Sequence, residues 1–127
     1  MLNQYPIYAT LPASDIGRAK KFYEETLGLS IFEEREDGIF FEAGGGTRVF
    51  VYPSQFAGTN QATAATWEVD DIEKVVGALR DAGVTFEEYD FPGLKTENGI
   101  ATTPNFKGAW FKDPEGNILA VGQNLSR

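Results

Sequence analysis

The chain of 127 residues contains no cysteine and no histidine. Without cysteine there is no disulfide framework and no thiolate metal site. Without histidine the commonest metal ligand and the commonest general base near neutral pH are both missing. Any chemistry falls to carboxylates, tyrosines, lysines, hydroxyls or backbone groups. No apolar run approaches the ~20 residues that a membrane-spanning helix needs. No charged stretch followed by an apolar one marks a signal peptide at the N-terminus. The expectation is a cytoplasmic protein with no membrane partner. Basic residues are also scarce, 11 Lys and Arg against 19 Asp and Glu, for a net charge of -8. That balance argues against nucleic acid, whose phosphates demand clustered cations. It leaves a solubilising surface, or long-range attraction of a cationic ligand.

What is present is enough for a core: 42% of residues are hydrophobic and 13% aromatic, well away from the composition of disordered chains. The length suits one domain, or two small modules sharing a core. The second is favoured because the chain repeats itself. Asp15-Ile16 recurs as Asp71-Ile72, and Gly28 recurs as Gly83. Between these marks, each copy carries a helical stretch, and a short strand ending in acids follows the glycine. Such self-similarity implies one supersecondary unit used twice.

In the first copy Ile16, Ala19, Phe22, Tyr23 and Leu27 form an apolar stripe at helical spacing. Ser14 or Asp15 caps its start and Gly28 stops it. In the second copy the stripe is Ile72, Val75, Val76 and Leu79; Asp70 and Glu73 have capping-box spacing, and Gly83 stops the helix. Strands are expected at "YPIYATL", "LSIFEER", "GIFFEA" and "TRVFVYP" around the first helix. Around the second they fall at "TAATWEV", "VTFEEY", "GIAT", "GAWFK" and "NILAVG", with "EDG", "GGG" and Asp113-Pro114-Glu115-Gly116 as turns. Each half reads β-α-β-β-β: module one is 1–54, a small polar linker is 55–62, and module two is 63–127. Residues 90–105 form a longer excursion, either a lid or binding loop or an ordered surface hairpin.

The two βαβββ units, the stretch "SDIGRAKKFYEETLGL" and the closing "FKDPEGN" together resemble the vicinal oxygen chelate superfamily, which includes glyoxalase I, bleomycin resistance proteins and extradiol dioxygenases. The resemblance covers essentially the whole chain. It implies an α+β fold: two tandem modules forming a cupped eight-stranded mixed sheet, with helices on the outer face and a ligand cavity on the inner one. It also implies a homodimer, with modules pairing within or across chains. In the enzymes of that group, metal ligands come from the first and fourth strands of each half. The corresponding positions here are Tyr8, Ala64, Ala120 and, uncertain by one residue, Val51. Alanine and valine offer no lone pairs, and a neutral phenol is a poor ligand. No metal and no cofactor is therefore expected.

Strand alternation then assigns the cavity. Tyr8 and Thr10 share one side of the first strand, and Ala64, Thr66 and Glu68 one side of the fifth. Val49 accompanies Val51, Ile118 accompanies Ala120, and either Trp110 or Phe111 faces inward, with Trp110 preferred. The pocket so built is mostly apolar with a few polar points, which suits a small molecule. Glu68 near Trp110 would hold a cation by charge and cation–π contact; otherwise Glu68 is a strand end in water. Three functional classes follow. One is a metal-free binding protein that sequesters a cationic or aromatic drug or metabolite and has no catalytic residues. Another is a metal-independent lyase or isomerase using Glu68 or Tyr8 for proton transfer. The last is an interaction domain whose cup is filled by its own side chains.

Overall fold

A computed structural model describes residues 1–126. The first repeat contains β1 (Ala9–Ala13), α1 (Ile16–Lys21), β2 (Ser30–Arg35), β3 (Gly38–Glu42) and β4 (Arg48–Pro53). The second contains β5 (Thr63–Glu68), α2 (Ile72–Asp81), β6 (Asp90–Phe91), β7 (Leu94–Glu97), β8 (Ile100–Thr102), β9 (Phe106–Lys112) and β10 (Ile118–Asn124). Helix starts are set by Asp15 and Asp71, whose carboxylates accept from the Arg18 and Lys74 backbone N–H groups. Asp71, rather than Asp70, is thus the second cap. The first helix does not end regularly. Residues Phe22–Thr26 form a π-helical turn, and the Leu27 N–H donates to the Phe22 carbonyl at 3.0 Å.

The strands pair into two hydrogen-bonded sheets, of order β1-β4-β3-β2 and β5-β10-β9-β8-β7-β6. Sequence reading expected one eight-stranded sheet. The difference has two causes. The excursion 90–105 is itself pleated, supplying β6, β7 and β8, which extend the second sheet beyond a βαβββ unit. And the edge strands β1 and β5 approach each other without joining into one ladder.

Alternation decides what is buried. Leu11, Ala13, Ile39, Phe41, Val49 and Val51 of the first sheet pack with Ala19 and Tyr23 beneath α1 and its π turn. Ala109, Phe111, Leu119 and Val121 of the second pack with Ile72 and Val76 of α2. Side chains on intervening positions point to the opposite, open face. None of the helices among the described residues is long and apolar enough to cross a membrane.

The two modules are joined by a buried polar latch built on the turn "DPEGN". The Tyr23 hydroxyl donates to Asp113 Oδ2 at 2.6 Å. Asp113 Oδ1 accepts from the Glu115 and Asn117 N–H groups, and Asn117 Nδ2 reaches the Pro12 carbonyl at 2.8 Å. The Glu115 side chain, fully buried, accepts from the Ser14 and Asp15 N–H groups and is paired with Arg18 at 2.7 Å. A carboxylate can be buried when its lone pairs are satisfied in this way. Burial alone would push the Glu115 carboxyl up, but Arg18, the Asp15 N–H and the Ser14 hydroxyl outweigh it and hold it below the usual range. Burial, and then the Asp113 charge, drive the Tyr23 phenol upward, so it remains a donor. Gly116 adopts φ +87°, and a Cβ there would sit 2.8 Å from the Gly58 Cα. The latch turn therefore also holds the linker, backbone against backbone.

Candidate functional site

On β9 the core takes Ala109 and Phe111, which leaves Trp110 and Lys112 on the open face. The neighbouring segment is aligned by a bridge between Phe86 and Phe111, and by the Glu87 N–H donating to the Trp110 carbonyl at 2.8 Å. With Phe86 inward, the pleat sends Glu87, Tyr89 and Phe91 to the side of Trp110. Tyr89 stands edge-on to Trp110, ring centroids 5.6 Å apart, and Phe91 stacks on Tyr89 at 5.6 Å. The excursion secures Tyr89: its N–H donates to Thr96 Oγ1 at 2.8 Å, and its carbonyl accepts from the Thr96 N–H. Leu94 and Ile118 add apolar wall, and the linker from Gly58 to Thr63 closes the far side. The result is an aromatic cleft of about 770 Å³. Its rim carries the Lys112–Glu87 ion pair at 3.6 Å. Burial, and then the charge of Glu87, push the Tyr89 phenol up, so beside the rim ion pair the cleft presents a neutral hydroxyl and π faces.

The open face of module one is filled by its own side chains. Tyr8 meets Phe40 at 5.0 Å, Phe40 meets Phe50 at 4.5 Å, and Tyr52 stacks beyond Phe50. The Arg35 guanidinium lies 5.1 Å from the Phe40 centroid and is tethered to Asp37. Between the modules, lined by residues of β1, β4 and β5 and their flanks, runs a second cavity of about 650 Å³.

The residues expected to share one cavity are divided among these regions. Trp110 and Ile118 line the aromatic cleft. Tyr8, Thr66 and Glu68 line the seam groove. Thr10 is exposed, opposite Phe50 in register. Ala64 lies at the bulge where β5 slips against β10. Ala120 is buried between its register partners Thr66 and Trp110. Val49 and Val51 need correction: both belong to the core under the helices, although Val49 also borders the groove. The uncertainty of one residue on β4 is resolved by register, since Phe50 opposes Thr10 as Ala120 opposes Thr66. Glu68 and Trp110 line different cavities, so they do not form the expected cation-holding pair.

Sequence reasoning missed Glu87, Tyr89, Phe91 and Leu94. The alternation through Phe86 would have found the first three. The four positions that correspond to metal ligands are occupied by Tyr8, Ala64, Phe50 and Ala120, a set with one phenol and no carboxylate or imidazole. That set does not fit a divalent ion. Among the described residues, no three or more Asp and Glu side chains converge elsewhere either.

The sequence model of the Glyoxalase/Bleomycin resistance protein/Dioxygenase superfamily matches residues 6–121. A search of the curated proteins found no match. Among solved structures, UcmS2 is 18% identical with a TM-score of 0.72, the alignment covering 91% of this chain and 94% of that one. TnmS3, an antibiotic binding protein from Streptomyces sp. CB03234, is 22% identical with a TM-score of 0.67, covering 94% and 97%. A lactoylglutathione lyase from Agrobacterium tumefaciens is 18% identical with a TM-score of 0.67, covering 94% and 92%. The chain belongs to the glyoxalase/bleomycin resistance protein/dioxygenase superfamily.

Proposed function

We propose that this member of the superfamily is a metal-free binding protein, which sequesters an aromatic small molecule in the cleft of module two. The observation that carries the proposal is the cleft itself. Trp110, Tyr89, Phe91 and Ile118 surround a space the size of a drug-like ligand. Three aromatic rings supply stacking area at little conformational cost, and the neutral Tyr89 hydroxyl fixes orientation. The ligand-poor set Tyr8, Ala64, Phe50 and Ala120 supports the absence of metal chemistry. The likeness to a structure described as an antibiotic binding protein agrees with sequestration.

The two charged groups of the cleft, Lys112 and Glu87, are paired with each other on its rim. A metal-independent lyase or isomerase using Tyr8 and Glu68 would have to work in the seam groove, the cavity that both line.

The test uses the fluorescence of Trp110 and Trp67. Planar aromatic compounds, neutral and cationic, would be titrated into the purified chain, with product formation followed in parallel. Saturable quenching without turnover is expected. Trp110→Ala should weaken affinity about 10- to 100-fold and leave the backbone amide spectrum near that of the parent. Turnover abolished by Glu68→Gln would replace sequestration with the enzyme reading. Stoichiometric Ni, Zn, Mn or Fe in the purified protein would overturn the metal-free claim.

A further inference from the structure

We propose that the seam groove is a second, separate site, which takes an apolar molecule carrying a single carboxylate and holds it through Arg48. The other arginines among the described residues are engaged. Arg18 is paired with Glu115, Arg35 with Asp37, and Arg80 donates to the Asn98 carbonyl. Arg48 has no ion pair or side-chain hydrogen bond among the described residues, and its Nε is buried without a partner. An acid is at hand: Glu42 lies directly across from it in register on β3, yet the two do not pair. The guanidinium instead lies 3.6 Å from the centroid of the Phe32 ring. Phe32 is presented by the bulge where β2 slips against β3.

A guanidinium held over an aromatic ring, with no acceptor of its own among the described residues, is suited to a planar, bidentate acceptor. Arg48 borders the groove from β4, beside the turn at Gly44 and Thr47, and β5 forms the opposite wall. Ile7, Ala9, Ala65 and Trp67 make much of the remaining surface apolar, which fits the body of an amphiphilic acid. A carboxylate on an apolar body buries more of these walls than inorganic phosphate does, so the organic acid is favoured.

The experiment follows arginine Nε–H and backbone amide resonances of the ¹⁵N-labelled chain during titration with benzoate. Parallel titrations use inorganic phosphate and, at matched ionic strength, chloride. Benzoate should shift the Arg48 Nε–H resonance and the Gly44, Thr47 and Thr66 amides saturably. Arg48→Met, which identifies the side-chain resonance by its loss, should weaken those amide shifts at least tenfold. Arg48→Lys, which keeps the charge and removes the fork, should weaken them severalfold. Trp110→Ala should leave them unchanged, so failure here and failure of the aromatic cleft are read separately. Shifts no larger than those with chloride would overturn the proposal. So would amide shifts that survive in Arg48→Met or disappear in Trp110→Ala, and so would phosphate binding more tightly than benzoate.

Discussion

The two modules share one design and differ in what covers their open faces. In module one Phe50 stands opposite Thr10 and beside Phe40; in module two Ala120 stands opposite Thr66 and beside Trp110. Where the phenyl ring is present, Tyr8, Phe40, Phe50 and Tyr52 close into a cluster. Where a methyl group replaces it, the rings of Tyr89 and Trp110 stand around an open cleft. The matched fourth-strand position thus carries a ring in one module, where it helps plug the open face, and a methyl group in the other.

The strongest way to break the contrast is Phe50→Ala. Removing a half-buried ring should cost about 3 kcal/mol in urea denaturation. It should also open a dye-binding hollow on module one, seen as enhanced anilinonaphthalene sulfonate fluorescence. A loss of stability with no new dye binding would mean that Phe50 does not act as the plug.

Smaller effects come from the latch, which keeps the two faces in one body. Glu115→Gln leaves shape and removes charge, and should cost about 2 kcal/mol at neutral pH. The sign of its pH dependence follows from the direction of the shift. Glu115 is held below the usual range in the folded chain, so its contribution is fully present above the unfolded value. It disappears as the pH falls through the folded value, which lies under the ordinary carboxylate range. Melting temperature against pH should therefore drop more steeply on the acid side in the parent than in Glu115→Gln. Parallel curves would remove Glu115 from the latch. The smallest change sharpens the contrast without disturbing it. Lys112→Ala removes an exposed rim pair with Glu87 and should alter stability by less than about 0.5 kcal/mol, with affinity for an aromatic ligand held within about threefold.

Much of this was legible in the sequence. The repeated Asp-Ile and Gly marks located both helices, and alternation placed Trp110, Thr66 and Tyr8 opposite the core residues that neighbour them. Val49 and Val51 went astray because a strand has period two: an uncertainty of one residue on β4 exchanges its whole core side for its open side. Tyr89 and Phe91 were missed for another reason. Their segment touches β9 through one bridge at Phe86 rather than a long ladder, and the excursion that pins Tyr89 through Thr96 reads as punctuation, not as strand. The division of the expected pocket into cleft and groove was beyond sequence altogether. It depends on how the edges of β1 and β5 meet, and no local pattern encodes the fit of two edges.

The π-helical turn at Phe22–Thr26 explains a small irregularity in the repeat. Gly28 comes thirteen residues after Asp15, whereas Gly83 comes twelve after Asp71. A widened turn takes up one surplus residue without lengthening the rod. Module one hides its odd residue inside a helix, where a loop would have been the easier place. It is this swollen turn that carries Tyr23, the side chain that grips the other half of the molecule. The duplicated unit is therefore handed: one copy bears the hook and the other the eye, and two identical copies could not have clasped in this way.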